Sequence, residues 1–432
     1  MIKFKKNRRE FFSQIGTGLT LYFLSNFFFF KRSFSKIKPK IVIIGMGIGG
    51  STSLKYLNYI SDLIDITVID KNKKIRTGPL SNLVIGDILS QEEITFKMEK
   101  NKYPNVNFLY ESIEFIDVEK KYIKLFGDLK IKFDFLILSP GIGYKENIID
   151  GYSTKDKDIV PHCWDGDGDI LEFKKRINDL ENGSKIIISS PDYPYRCPPA
   201  PYERASLIAN YLKKKKIKSK IIILDSKDSF TKKANFFKEW NQNFRDVIEW
   251  IPRSEGGRVV VFEKKNNSVK NDKGQIIKGD FIHIIPEQKA AKIFNHAELV
   301  NENEDWCQIN PISFEIKGFK DIYAVGDSIN AWDMPKSAFS ANSQAKVLSI
   351  NLMNKILEKN YIDPVFLNTC YSFSSEKSAF SISSWYRLNL NMDRIVSLGS
   401  SESSINADRS ERKKEVQHAF GWYYKMVSDL FL

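Results

Sequence analysis

Cys197 and its polar neighbours are the residues of this chain best suited to covalent or redox chemistry. The thiol lies in a proline-rich segment, residues 189–204, beside Arg196 and six residues before Glu203. A cation and a carboxylate close to a thiol can tune its reactivity, although a single cysteine is often only a packed core residue. A second candidate, Cys370, lies far along the chain, and spacing alone does not pair the two.

A glycine-rich loop follows the first apolar run. KIVIIG (40–45) reads as a buried parallel strand, GMGIGG (45–50) as a turn, and the next residues as a helix. Gly45 allows the tight turn, Gly47 permits close approach of a pyrophosphate and Gly50 allows helix packing, while Asp70 ends the next strand and could accept from a ribose hydroxyl. This order predicts a dinucleotide-binding fold.

Two later segments distinguish FAD from NAD. The first is FLILSPGIG (135–143), a strand that runs into the turn Ser139, Pro140, Gly141, and the second is DIYAVGD (321–327), a strand that ends in Gly326 and Asp327. The Asp327 carboxylate would bind the ribityl chain of the flavin. In this order after the glycine loop, the segments predict FAD.

A second strand, helix and strand follow at residues 184–189, 203–213 and 220–225. In a pyridine-nucleotide-dependent flavoenzyme this unit would bind NADH through its own glycine loop. Here no glycine lies between Gly183 and Gly256, and five prolines occupy the turn. Proline fixes the backbone and removes amide donors, so we expect the fold to persist without NAD(P)H as a ligand.

The first 35 residues have the form of an export signal. They contain Arg8 and Arg9, then an uncharged apolar stretch to Phe30, as in twin-arginine leaders. We therefore expect a periplasmic protein, or a membrane-anchored one if the leader is retained, since this largely apolar stretch of 20 residues is just long enough to span a bilayer.

The 432-residue chain has 42% hydrophobic residues and is long enough for two or three domains. Part of its +13 net charge lies in the leader and the remaining lysines are dispersed, which disfavours a nucleic-acid ligand. Four scattered histidines and no zinc-like His/Cys spacing predict no metal site.

Several segments together resemble the flavoprotein subunit of flavocytochrome c sulfide dehydrogenase. They are YRCPPAPYERA (195–205), GPLSNLVIG (78–86), IVPH (159–162), MPKSAFSANSQ (334–344), NTCY (368–371) and GWY (421–423). The resemblance covers almost the whole chain after residue 38.

This resemblance implies an α/β fold with two Rossmann-like domains and a C-terminal α+β interface domain. The expected boundaries are an FAD domain at 38–150 and 256–340, a degenerate NAD-type domain at 151–255, and the C-terminal domain at 341–432, after the leader at 1–35.

The resemblance also implies a function. Cys197 and Cys370 would form a redox disulfide that hydrosulfide attacks, with release of sulfur or polysulfide and transfer of electrons through FAD to a c-type cytochrome subunit with one or two haems. Glu203 would act as acid or base, or simply begin a helix. Lys336 would lie near the flavin pyrimidine edge, and Arg196 is a candidate cation for the thiolate, although an exposed arginine explains it as well.

One departure concerns the flavin linkage. The family commonly tethers flavin through a cysteine before the Pro-x-Ser-Asn segment, where this chain has Gly78. Glycine cannot form a thioether, so we expect non-covalent FAD. Cys163 and Cys307, each beside a tryptophan, are predicted to be packed structural residues.

Two other functions stay open. In a sulfide:quinone oxidoreductase, the tail at residues 420–432 would make peripheral contact with a membrane, although it could equally dock on the protein itself. In a non-catalytic flavin-binding partner protein, the redox site would be inherited but idle.

Overall fold

The computed structural model describes residues 38–98, 100–165 and 169–431, and the predicted export leader lies outside them. From Pro39 onward the chain forms one compact unit, so the predicted internal domain boundaries stay predictions. The helices are α1 (Ile48–Leu57), α2 (Ser81–Ile85), α3 (Asp169–Asn178), α4 (Ala200–Lys214), α5 (Lys233–Asn243), α6 (Lys292–His296), α7 (Ala338–Ile356) and α8 (Arg409–Leu430).

The first half of the chain supplies the strands β1 to β10. They are β1 (Lys40–Ile44), β2 (Asp65–Ile69), β3 (Ile75–Arg76), β4 (Thr95–Phe96), β5 (Val106–Leu109), β6 (Ile113–Asp117), β7 (Tyr122–Leu125), β8 (Lys130–Lys132), β9 (Phe135–Leu138) and β10 (Ile142–Tyr144). The remaining strands are β11 (Ser184–Ser190), β12 (Ser219–Asp225), β13 (Ile248–Ile251), β14 (Val259–Glu263), β15 (Ser268–Asn271), β16 (Ile276–Lys278), β17 (Phe281–Ile284), β18 (Gln288–Ala290), β19 (Ile322–Ala324), β20 (Val365–Ser375), β21 (Ser378–Asn389) and β22 (Arg394–Glu402).

The glycine loop lies at the end of a five-stranded parallel sheet with the order β19-β9-β1-β2-β5. Its central strand β1 is almost entirely isoleucine and valine, and four of its five residues are buried, as expected for a strand covered on both faces. Strand β19 comes from much later in the chain and pairs with β9. Its pairing brings the carboxyl ends of β1, β9 and β19 to one edge, where ligands bind in such sheets.

A second parallel sheet has the order β13-β12-β11-β17. Strand β11 pairs with β12 in register from Ser184 opposite Ser219 to Ser190 opposite Asp225. The isoleucine-rich repeat of the first unit therefore forms the same local architecture here. These two sheets confirm the predicted α/β fold with two Rossmann-like units.

The C-terminal part consists of the antiparallel sheet β20-β21-β22 and the long helices α7 and α8. Phe366 and Asn368 of β20 are buried while Val365 and Leu367 are exposed, which is the two-residue alternation of a half-buried strand. The same alternation directs Cys370 to the inner face of the sheet. None of the helices in the described ranges is both long enough and apolar enough to cross a membrane.

Candidate active site

The glycine loop has the geometry that dinucleotide binding requires. Gly45 has φ +93°, and a Cβ there would lie 2.3 Å from the carbonyl oxygen of Ser139. A Cβ on Gly50 would lie 1.8 Å from the carbonyl oxygen of Gly45. A Cβ on Gly47, by contrast, would meet no atom within 4 Å, so this backbone faces open space at the start of α1. The loop therefore matches the three roles predicted for its glycines.

Asp70 holds this loop in place. One oxygen of its carboxylate accepts a 2.7 Å hydrogen bond from the backbone amide of Met46, and the other accepts one of 2.8 Å from Asn72. Each carboxylate oxygen can accept further bonds, so a ribose hydroxyl can still be bound. The structure thus gives Asp70 a loop-fixing role in addition to the predicted one.

The turn after β9 joins the loop from the opposite side. The Ser139 amide donates to the Ile44 carbonyl at 2.8 Å, and the side chain of Ser328 donates to the carbonyl of Gly141, which has φ +83°. Pro140 passes directly against Gly45, where its Cα would lie 3.2 Å from an added Cβ. All three predicted turn residues therefore lie at the nucleotide edge of the first sheet.

Gly326 and Asp327 complete this edge. Gly326 has φ +87°, and its amide donates a 2.9 Å hydrogen bond to Gln344. Oδ1 of Asp327 is buried and has no hydrogen-bond partner among the described residues. Burial raises the pKa of this carboxyl, against the opposing effect of Arg196 and Lys336. A buried acceptor without a donor fits a ligand hydroxyl, such as those of a ribityl chain.

Lys336 lies beside this carboxylate. Its ammonium donates to the carbonyls of Asp327 at 2.9 Å and Ile329 at 2.8 Å, and it lies 3.4 Å from the centre of the Trp306 ring. Burial lowers the pKa of Lys336 to about 7, with Asp327 acting in the opposite direction. The lysine is buried at the nucleotide edge, where a positive charge would stabilise an anionic reduced flavin.

The structure brings Cys197 and Cys370 together. Cys197 lies in the loop between β11 and α4, Cys370 lies on β20, and their side chains form a hydrogen bond. Both are free thiols here and both are partly buried. Their hydrogen bond raises the pKa of Cys197 and lowers that of Cys370 to about 6, and Lys232 also lowers the pKa of Cys370.

Lys232 is the cation at this site, and the sequence analysis did not single it out. Its ammonium donates to the carbonyl of Cys370 at 3.2 Å and lies 4.0 Å from the sulfur. Arg196, the candidate chosen for its proximity in sequence, instead donates to the carbonyl of Trp164 and acts electrostatically on Asp327. Lys232 lies 35 positions after Cys197 in the sequence, so no local pattern indicates it.

Glu203 lies in the first turn of α4, close to both sulfurs. Its carboxylate accepts hydrogen bonds from the side chain of Asn82 at 2.7 Å and from the backbone amide of Phe373 at 2.8 Å. Burial raises the pKa of Glu203 to about 7, despite these two bonds and the charge of Lys232. A carboxyl with this pKa can exchange protons near neutral pH.

Arg204 supports Glu203 from the next position, and sequence analysis also missed it. Its guanidinium is buried and donates to the Asn82 side chain at 3.0 Å and to the His162 carbonyl at 2.9 Å, while it lies over the ring of Trp164 at 4.4 Å. Because Asn82 bonds both Arg204 and Glu203, this network fixes the orientation of the glutamate.

The second nucleotide-type site is filled by the protein itself. Asp225, at the position of a ribose-binding acid, is fully buried and accepts from Tyr202 at 2.6 Å, Trp250 at 2.8 Å and the ammonium of Lys227 at 2.5 Å. Lys227 is also buried and donates to the Pro191 carbonyl at 2.6 Å.

The other two cysteines lie in the hydrophobic core. Burial raises the pKa of both, to about 12 for Cys307, as expected for packed structural residues. Within the described residues, no group of three or more potential ligands could hold a metal ion.

Together, the two parallel sheets, the glycine loop and the orphaned Asp327 oxygen define a flavoprotein oxidoreductase of the type with two dinucleotide-binding domains. Family comparison then gives two matches, described as "Sulfide dehydrogenase [flavocytochrome c] flavoprotein chain, central" over residues 171–286 and "Flavocytochrome c sulphide dehydrogenase, flavin-binding" over residues 362–431. These two matches confirm the resemblance to a family of sulfide-oxidising flavoproteins, and the cofactor is FAD.

Individual relatives agree with the fold. The mitochondrial sulfide:quinone oxidoreductase of Dictyostelium discoideum is 23% identical over 349 residues, which are 75% of this chain and 72% of that protein. The sulfide:quinone oxidoreductase structure from Aquifex aeolicus superimposes with a TM-score of 0.69 at 16% identity and covers 91% of this chain and 92% of that one. The structure of NDH2 from Plasmodium falciparum in complex with NADH superimposes with a TM-score of 0.64 at 15% identity and covers 92% of this chain and 100% of that one.

Proposed function

We propose that this chain is an FAD-dependent sulfide dehydrogenase in which Cys197 and Cys370 form the redox disulfide. The observation that carries the proposal is their direct side-chain contact, beside a buried cation and a buried carboxyl, although they are far apart in sequence. Oxidation of these two thiols would give a disulfide that hydrosulfide can open by thiol–disulfide exchange. Bound FAD supplies the two-electron acceptor for this chemistry.

The chain's own residues have distinct roles in this reaction. Opening of the disulfide by hydrosulfide leaves a persulfide on one cysteine and a thiolate on the other. Glu203 can take the persulfide proton, since its pKa of about 7 lets it accept a proton near neutral pH. Lys336 holds positive charge beside Asp327 at the nucleotide edge. Further sulfide would then release the bound sulfur as sulfur or polysulfide.

The proposed electron acceptor is a c-type cytochrome subunit. The family name supports this partner, because the matched domains belong to the flavoprotein chain of a flavocytochrome. The twin-arginine leader predicted from the sequence supports export to the periplasm, where such a cytochrome would be found. The filled second site, with Lys227 bonded to Asp225, supports an electron source other than NAD(P)H.

The second candidate acceptor is a quinone. The similarity to sulfide:quinone oxidoreductases from Dictyostelium discoideum and Aquifex aeolicus favours it. Several apolar side chains are exposed on the C-terminal sheet, among them Val365, Leu367 and Trp385, and they could contact a membrane surface. They could equally contact a protein subunit, so the acceptor has to be measured.

Anaerobic titration of the oxidised holoprotein with sulfide tests the proposal. Flavin absorbance should bleach in the wild type and bleach at least about 100-fold more slowly in Cys197→Ser and Cys370→Ser. Cys307→Ala, which alters a buried thiol outside the site, is the control and should bleach normally. Bleaching of both serine variants at the wild-type rate would refute the disulfide mechanism. A wild type whose flavin does not bleach would favour the non-catalytic flavin-binding role. Cytochrome c or a soluble quinone, added afterwards, identifies the acceptor.

A further inference from the structure

Lys232 is a buried lysine held in an unusual backbone conformation. It has φ +64° and is 2% exposed, and it immediately precedes helix α5. A positive φ is uncommon for a residue other than glycine and is retained only where the surroundings enforce it. Here it places the ammonium against one cysteine, 3.2 Å from the carbonyl oxygen and 4.0 Å from the sulfur of Cys370.

The two thiols therefore differ in their surroundings. Cys370 receives the Cys197 hydrogen bond and the charge of Lys232, and both lower its pKa. The pKa of Cys197 is raised by its bond to Cys370, by burial and by the negative charge of Glu203, with Lys232 as the opposing influence. The groups that face the pair are thus Lys232 from the segment before α5 and Glu203 from α4.

We propose that Lys232 fixes the direction in which the disulfide opens: hydrosulfide attacks the sulfur of Cys197, and Cys370 leaves as a thiolate held by the Lys232 ammonium. This inference rests on the proposed function. In thiol–disulfide exchange, the sulfur whose thiol has the lower pKa is the better leaving group. Lys232 is accordingly a positioning residue that acts through Cys370.

The step balances without a further reactant. A bond forms between the hydrosulfide sulfur and Cys197, the bond between Cys197 and Cys370 breaks, and its electron pair goes to Cys370. The sulfide sulfur is oxidised to the persulfide level, and the disulfide is reduced. The proton of hydrosulfide stays on the persulfide until Glu203 accepts it.

Three variants of the holoprotein test the role of Lys232. Lys232→Met removes the charge at similar length, Lys232→Arg keeps it, and Lys233→Met removes one charge at the next position, where the ammonium lies 4.0 Å from the centre of the Trp250 ring. The reduced proteins are treated with iodoacetamide across a pH series, and the peptide that contains Cys370 is quantified by mass spectrometry. We expect its labelling at pH 7 to fall about tenfold in Lys232→Met and to stay close to wild type in the other two.

The persulfide position is measured in the same proteins after one equivalent of sulfide and a rapid alkylating quench. Wild type should carry the persulfide on Cys197, and Lys232→Met should carry a share of it on Cys370. A wild-type persulfide on Cys370, or an unchanged labelling profile in Lys232→Met, would overturn the inference. If Lys232→Met does not fold, Lys232→Gln is used in its place. If neither variant folds, the position of the persulfide in the wild type tests the inference by itself. Failure of wild-type flavin to bleach with sulfide would instead refute the proposed function.

Discussion

The backbone amide of Cys197 donates a 2.8 Å hydrogen bond to the carbonyl oxygen of Lys336, and the ammonium of Lys336 donates a 2.9 Å bond to the carbonyl of Asp327. One lysine thus links the cysteine loop of the second sheet to the backbone of Asp327 at the nucleotide edge of the first. These two bonds fix the Cys197 loop relative to the edge of the first sheet, where FAD would bind.

Replacement of Gly45 and of Gly47 by alanine should affect different properties of the protein, stability in the first case and FAD affinity in the second. Gly45→Ala places a methyl group 2.3 Å from a backbone oxygen and puts alanine at a position with positive φ. We therefore expect the free energy of unfolding of the apoprotein in urea to fall by about 2 kcal/mol or more. Gly47→Ala meets no protein atom, so stability should be unchanged while FAD affinity falls at least about tenfold, because the methyl group enters the space left for pyrophosphate. Unaltered FAD binding by Gly47→Ala, measured by fluorescence quenching, would contradict this.

Lys227→Met should destabilise the protein strongly. The lysine and Asp225 are 4% and 0% exposed, and removal of one partner of such a buried pair costs about 3 kcal/mol or more. Lys220→Met, also on β12, removes a solvent-exposed pair with Glu249 and should cost less than about 1 kcal/mol. Urea unfolding measures both. If the two variants were equally stable, the buried Lys227–Asp225 pair would not stabilise the fold in the place where a related domain would bind a nucleotide.

Glu203→Gln should change how sulfide reduction depends on pH. The carboxyl of Glu203 loses its proton through about pH 7, and only the ionised form can accept a proton from the persulfide. The ratio of the wild-type to the Glu203→Gln rate of flavin bleaching should therefore rise with pH through about 7 and reach about 100-fold at alkaline pH. Protonation of sulfide itself cancels in this ratio. The exposed control Glu249→Gln should give a ratio of about 1 throughout, and a flat ratio for Glu203→Gln would exclude a proton-transfer role.

Acid precipitation tests the flavin linkage. Gly78 is exposed, and an added Cβ would meet no atom within 4 Å, so the position has room for a side chain but offers no thiol. We expect all the yellow colour of the wild type to remain in the supernatant. Gly78→Cys should retain part of the flavin in the pellet, whereas Gly78→Ser should not. Flavin in the wild-type pellet would show a covalent bond elsewhere.

The nucleotide edge was predictable from sequence because local rules govern it. Runs of isoleucine and valine form buried strands, and Gly45 and Gly326 adopt positive φ at the ends of β1 and β19. Asp70 follows directly after β2 and Asp327 lies three residues after β19, so the strands before them set their places. The flavin-binding family match confirms FAD, and the similarity to the Aquifex aeolicus structure confirms the two-unit fold.

The chemistry at the sulfurs was decided by tertiary structure. The sequence indicates Cys197 and Cys370 as reactive candidates, but only the packing of β20 against α4 places them together. Lys232, which the sequence leaves among dozens of other lysines, becomes the cation of the site because α5 begins beneath β20. A strand or a turn is encoded by neighbouring residues, whereas the electrostatic field at a buried sulfur depends on charges that are distant in sequence and adjacent only after folding.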